Sequence, residues 1–493
     1  MKKPSLPFFG FLLELSTRQR HMSHSGLQAA VGPQAAFPHL TVEWLKQRWG
    51  ALLRTGAPRL NATCVVAGLM IAAISSQAPA ATTSRSITIL YSGNLDGELE
   101  PCGCSPAGDF GGILRRATLV ETLRKQQPEL FLLSSGGLLA NASPRDRLKS
   151  EYILKGMAAL DYDAVGLQWR DLTYGVDFLK GNALPWTASN WSDAGPFPPQ
   201  RVIEHGEVTL AFFSWLDPES SPFRQMKGEH RMVTNNVEPL RTALKKAKQR
   251  GAVTVLATTL EPEQAEKLFP LQDIDILIVK SAYEKYGNAR KAGSTLILQP
   301  GSRGMRLGRL ELEVDPQGRI VSWEQEIIPL PESIPDSPAL KGWYQEYNAR
   351  VKAAYLASVE QRKLQQSGKS PYSGAEKCKA CHQKEYETWS RSLHARAFGR
   401  LEEVGKSFDP DCIVCHTVGF GKPGGYIDTR LTMQLLDVQC ESCHGPGRNH
   451  VTSKGGKPTP HADWPREKIC AQCHTQPHSP EFDIKTYWGR IAH

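Results

Sequence analysis

Between residues 373 and 493 the chain repeats one arrangement four times: two cysteines three positions apart, with a histidine directly after the second. The copies are Cys378-Lys-Ala-Cys381-His382, Cys412-Ile-Val-Cys415-His416, Cys440-Glu-Ser-Cys443-His444 and Cys470-Ala-Gln-Cys473-His474. Two thiols at that spacing can each form a thioether to one vinyl group of a haem. The adjoining imidazole then reaches the iron from the same face. Disulfides need no histidine after every second cysteine, and zinc ribbons built from paired CxxC units need none either. The four motifs take eight of the eleven cysteines and begin 28 to 34 residues apart. The sequence therefore predicts four covalent haems c, with His382, His416, His444 and His474 as proximal ligands.

Each iron keeps a second axial position. His394, His450, His461, His478 and His493 are the remaining imidazoles of this segment, so five candidates compete for at most four places. An iron held by two neutral imidazoles cycles an electron without changing its ligation and has no vacancy for substrate. That is the chemistry of electron transfer. An iron with one imidazole could bind a small molecule.

Three stretches of this segment resemble one family. They are Trp389-Ser-Arg-Ser-Leu-His394-Ala-Arg-Ala, the glycine-rich run 419–426, and Cys440-Glu-Ser-Cys-His-Gly-Pro-Gly-Arg-Asn-His450. The family is that of tetrahaem cytochromes c that accept electrons from hydroxylamine oxidoreductase, and the resemblance covers about 375–493. It implies His450 opposite His382 on the first haem, His394 opposite His444 on the third, and His493 opposite His474 on the fourth. It also implies an open second haem at His416, unless His461 or His478 caps it. Redox proteins are the implied partners. The rival reading is a redox enzyme acting on a nitrogen-oxide-type ligand at the His416 haem.

The elements that must carry these motifs change character along the chain. Residues 86–330 alternate apolar β-type runs (87–91, 130–134, 208–213, 253–257, 274–279) with amphipathic stretches such as 112–126 and 238–250, the pattern of an α/β layered domain. Asp315-Pro-Gln-Gly318 marks a turn between two last strands. Residues 331–372 read as a Pro-rich passage, a bridging helix around 339–366 and a short loop. The motif-bearing segment 373–493 reads as mainly helical or irregular, too poor in apolar runs for an ordinary core, with porphyrins filling that role.

The α/β text resembles the 5′-nucleotidase branch of the calcineurin-like metallophosphoesterases at Ile89–Pro101, Gly111–Ala117, Tyr162–Val165 and Gly301–Gly308. The residues that two-metal hydrolysis requires are replaced. The family's Asp-x-His falls at Asn94 and Asp96, its Gly-Asp at Gly136-Gly137, and its Gly-Asn-His-Glu at Gln168-Trp169-Arg170-Asp171. Its Gly-His-x-His has no counterpart around Lys280–Tyr283, and the domain's histidines, His205 and His230, stand elsewhere. The expectation is a catalytically dead shell that scaffolds or docks, with a nucleotide-binding sensor as another reading. Cys102 and Cys104 either bind metal, cross-link to a partner, or remain an inert reduced pair.

Upstream, Arg54 and Arg59 precede the apolar run Cys64–Ile74 and the small-x-small exit Ala78-Pro79-Ala80. Residues 1–85 therefore read as an upstream extension plus a secretory signal, with an uncleaved membrane anchor as the rival. Export places the mature protein in the periplasm or otherwise outside the cytoplasm, soluble or peripherally membrane-associated. The net charge of +9 is spread in short runs with no nucleic-acid motif, so no nucleic-acid partner is expected.

Overall fold

Alternate residues along the first strand face different partners. Ile87, Ile89 and Tyr91 point into one buried cluster, while Leu90 points into another. A strand buried on both faces belongs inside a layered sandwich. The structure is a computed structural model that describes residues 84–493, apart from 102, 106–107, 141–143, 193–194, 223–231, 280–285, 365 and 367. The signal-region reading, and those at His230 and Lys280–Tyr283, lie outside the described residues. Residues 81–493 form one compact unit.

Among the described residues, twelve strands build two six-stranded sheets. In chain order they are β1 (Arg85–Ser92), β2 (Phe131–Ser134), β3 (Ala164–Gly166), β4 (Trp186–Thr187), β5 (Arg201–His205), β6 (Val208–Trp215), β7 (Val253–Thr258), β8 (Ile276–Ile278), β9 (Tyr286–Ala292), β10 (Thr295–Pro300), β11 (Arg306–Val314) and β12 (Ile320–Pro329). The first sheet runs β12-β11-β1-β2-β3-β4 and the second β5-β6-β7-β8-β10-β9. In the first, β1 to β4 are parallel, with the antiparallel pair β11–β12 beside β1. The sheets pack face to face through Phe131, Leu133, Leu210, Phe212, Val253 and Val255. Their outer faces are covered by helices Ile113–Gln126 and Pro144–Ala158 on one side and Glu238–Gln249 and Pro262–Leu268 on the other. The α/β layered domain expected from the sequence is therefore present.

Helix Lys341–Leu364 is more than a bridge. Trp343 donates from Nε1 to the Tyr152 carbonyl at 3.0 Å, and Tyr347 is buried in the core against the first sheet. Two turns further on, Tyr355 donates its hydroxyl to the Ile427 carbonyl at 3.0 Å and is buried in a separate cluster. That cluster contains Tyr372, Phe398, Leu401, Ile413, Val418, Tyr426 and Leu435. The motif-bearing segment thus has an apolar core of its own, which its sparse apolar pattern did not suggest. Its members are scattered along the chain and are gathered by short helices and turns rather than by one periodic element.

Candidate haem centres

Each motif is one helical turn. His382 and His474 donate their backbone N–H to the carbonyls of Cys378 and Cys470, at 3.0 and 2.9 Å. The second motif closes helix Pro410–His416, which Asp409 caps by accepting the Asp411 N–H at 3.0 Å, with proline in the first turn. The third is helix Cys440–His444, with a capping box from Gln439. Residues three apart on a helical turn share a face, so each pair of thiols points the same way. None of these eight cysteines is in a disulfide.

Six histidines meet in three pairs. Ring centroids are 6.0 Å apart for His382 and His450, 6.2 Å for His394 and His474, and 5.9 Å for His444 and His493. Two imidazoles that bind one metal through Nε2 at ~2 Å each bring their centroids to about 6 Å. The spacing suits an ion between the rings. The side chains therefore fit the haems that the motifs imply.

The partners differ from those the resemblance implied for two of the pairs. His394 faces His474, not His444, and His493 faces His444, not His474. The cause is local anchoring. The His394 carbonyl accepts the Val438 N–H at 3.1 Å, and Trp389 donates to the Val438 carbonyl at 2.7 Å. Near His444, the ring of His461 lies over Gly445 and its backbone N–H bonds the His444 carbonyl. The terminal turn beyond helix Ile484–Trp488 brings His493 to that same end. Chain order alone carries none of these distances.

Hydrogen bonds set the state of the rings. Nδ1 lies 2.6 Å from the Ala397 carbonyl in His416, 2.7 Å from the Lys457 carbonyl in His450 and 2.9 Å from the Ile491 carbonyl in His493. A carbonyl only accepts, so Nδ1 carries the proton and Nε2 keeps the lone pair a metal needs. In His474 the Nδ1 partner is Ser479 Oγ at 3.1 Å, and Phe482 stacks on the ring. Burial lowers the pKa of His394, His444 and His474, and neighbouring imidazoles add to the effect for the first two. The neutral ligand form is thereby favoured.

His416 has no imidazole within ring contact among the described residues. His461 stacks on Trp464 with centroids 3.7 Å apart and donates Nδ1–H to the Cys443 carbonyl at 3.0 Å. His478 sits by the α/β domain, its Nδ1 4.0 Å from Cys104 Sγ. Cys104 is disulfide-bonded, which corrects the readings of it as a metal-binding thiol and as part of a reduced, inert pair. Cysteines of different motifs also lie near one another, Cys378 beside Cys440 and Cys415 beside Cys473. Sequence reading missed Ser479 and also Glu441, whose buried carboxylate accepts the Ser373, Gly374 and Gly447 N–H groups. Glu441 stands inside a motif at a position the motif leaves free, so spacing held no signal for it.

The positions that matched metal ligands in the α/β domain converge at the ends of β1, β2 and β3. Gln168 Nε2 donates to Asn94 Oδ1 and to the Ser135 carbonyl, both at 2.9 Å. The Asp171 carboxylate accepts from the Gly137, Leu138 and Gln168 N–H groups. A Cβ at Gly136 would lie 2.0 Å from the Gly166 carbonyl oxygen. Among the described residues no cluster of three His, Cys, Asp or Glu is arranged to hold a metal ion. His205 is remote from this place. It stacks on Phe131 and faces Asp163 at 3.2 Å.

Paired imidazoles beside CxxCH turns, set against an α/β sandwich, define a c-type cytochrome joined to a phosphoesterase-like domain. The family described as cytochrome c554 and c-prime matches residues 377–445. Cytochrome c-554 of Nitrosomonas europaea is 31% identical over 161 residues, covering 24% of this chain and 68% of that protein. The chain belongs to that cytochrome family, and covalently bound haem c comes with it. The other domain is similar to 5′-nucleotidases. The human 5′-nucleotidase is 23% identical over 294 residues, covering 52% of this chain, and the chain spans about half (51%) of its length. A 5′-nucleotidase precursor from Thermus thermophilus superposes with a TM-score of 0.48 at 16% identity, covering 71% of this chain and 74% of the other. Among the described residues no helix is long and apolar enough to cross a membrane.

Proposed function

We propose that the chain is an exported cytochrome that carries electrons through four covalent haems c for redox protein partners outside the cytoplasm, with the phosphoesterase-like domain as a non-catalytic scaffold. The observation that carries this reading is the set of three histidine pairs at one-metal spacing, each containing one CxxCH histidine. Haem c supplies the one-electron chemistry. The three pairs would each hold one iron between two imidazoles, which would leave no axial place for substrate there. The neighbourhood of the motifs supports a path. Cys378 lies near Cys440, Cys443 near Cys470, and Cys473 near Cys415. The motifs therefore follow one another in space in the order first, third, fourth, second.

His416 supports a second reading, because its ring has no imidazole opposite it among the described residues. An iron there would have room for a small nitrogen-oxide-type ligand, and a redox enzyme would result. One experiment addresses both readings: intact mass of the mature protein, with reduced spectra taken with and without carbon monoxide. Four haems with a carbon monoxide response of one in four supports an open iron at His416. Four haems and no response leaves a pure carrier. Fewer than four haems overturns the tetrahaem reading.

A further inference from the structure

The vacated phosphoesterase site is occupied by the chain's own cations. Arg170, which stands where the resembling family has the histidine of Gly-Asn-His-Glu, places Nε 3.5 Å from Asp96 Oδ1. Arg303, in the loop between β10 and β11, donates its backbone N–H to Asp96 Oδ2 at 3.3 Å. Its Nε and Nη2 lie 3.2 and 2.9 Å from Glu98 Oε1. Two guanidinium groups therefore balance the acidic loop after β1 that metal ions would otherwise neutralise.

Arg303 has one arm left, and it leaves the domain. Nη1 donates to the carbonyl of Pro477 at 3.1 Å. Pro477 lies between the fourth motif's His474 and Ser479, the residue whose hydroxyl meets His474 Nδ1 at 3.1 Å. The Arg303 side chain is 12% exposed, so this contact is largely shielded from water. A guanidinium offers several donors in a fixed fork, which lets one side chain hold a carboxylate and a carbonyl at once.

We propose that Arg303 is a positioning residue for the fourth haem: it pins the turn 475–480 so that Ser479 accepts the Nδ1 proton of His474. This rests on the fourth motif being a haem site. A hydrogen bond to the far nitrogen of an axial imidazole fixes the ring's rotation and raises its basicity, which favours the oxidised iron. The former catalytic face of the shell would thus set the potential of one haem, a role that a merely attached scaffold would not have.

The test is redox titration and electron paramagnetic resonance of the mature, haem-loaded full chain beside its Ser479→Ala and Arg303→Gln variants. Both variants are expected to move the same single haem to higher potential and to change the signal of one low-spin centre, with the other haems unmoved. If the Gln variant does not fold, Arg303→Lys keeps the charge beside Asp96 and Glu98 but gives up the fork, and the same shift is expected. A shift in the Ser479 variant without one in the Arg303 variants overturns the role of Arg303. No shift in either overturns the whole link. Mass analysis of the peptide holding Cys470 and Cys473 keeps this separate from the underlying reading. A peptide without haem means that the motif assignment failed, and a haem-bearing peptide with unmoved potentials means that the positioning role failed.

Discussion

Lys406, in the cytochrome segment, places Nζ 2.6 Å from Glu100 Oε1 in the phosphoesterase-like domain, 306 positions earlier. The two side chains are 13% and 24% exposed, and Nζ also meets Asn348 Oδ1 at 2.8 Å. Burial alone would lower the lysine's pKa, yet Glu100 and Tyr344 carry it above the usual range. Removing one member of a buried pair leaves the other charged and unpaired. Lys406→Met should therefore cost about 3 kcal/mol in chemical unfolding. Glu100→Gln should cost less on its own, and the double variant less than the sum of the two. Single variants within about 0.5 kcal/mol of the parent would show that the pair adds little to the join between domains.

Asp171 gives the phosphoesterase-like domain a pH dependence of known sign. Burial raises its pKa from 3.8 to about 6, against the pull of the Gly137, Leu138 and Gln168 N–H groups. The folded state therefore prefers the protonated acid. Its contribution is fully present below pH 3.8 and is lost as pH rises through about 6. Asp171→Asn is a neutral mimic without that titration. The stability difference, parent minus variant, should fall by about 2.4 kcal/mol between pH 4 and pH 7, read from denaturant midpoints at constant ionic strength. A difference that stays flat with pH would remove Asp171 from the account.

The helical turns of the motifs were legible in the sequence, because a cysteine–cysteine–histidine spacing is itself a geometric statement. Local order follows from it, as the helical turns at Cys378–His382 and Cys470–His474 show. Strands with alternating or continuous apolar text, such as β1, β6 and β7, were readable for the same reason. Ala164–Gly166 and Trp186–Thr187 were not, since three and two residues are too short to display a period. The histidines that meet were readable as residue types but not as pairs. His394 and His474 meet because Trp389, Val438 and Ser479 hold distant turns together, and nothing in local spacing encodes such a meeting.

The exchanged pairing is open to direct test. His394→Ala should free the iron of the fourth motif and His493→Ala that of the third, each adding one carbon-monoxide-binding haem. Attribution comes from combining each change with loss of a motif. In a Cys470→Ser, Cys473→Ser chain the His394 change should add no new binding, and the His493 change should still add one. The reverse pattern would restore the pairing that the sequence resemblance implies.

The shared helix Lys341–Leu364 makes the two domains one unfolding unit. Tyr347 is buried against the first sheet's core and Tyr355 in the cytochrome cluster, at 3% and 6% exposure, so neither core can dissolve without baring part of the other's packing. Haem absorbance and tryptophan fluorescence should accordingly lose their native signals at the same denaturant concentration. Ala353, exposed and between the two tyrosines, is the place to cut this coupling. Proline there removes one backbone hydrogen bond and clashes with the preceding turn, at a cost of about 3 kcal/mol, while leaving both clusters' side chains in place. In Ala353→Pro the two signals should separate into distinct transitions. Two transitions that still coincide would mean that the ion pairs Lys406–Glu100 and Lys149–Asp411, at 2.6 and 3.1 Å, rather than the helix, carry the coupling.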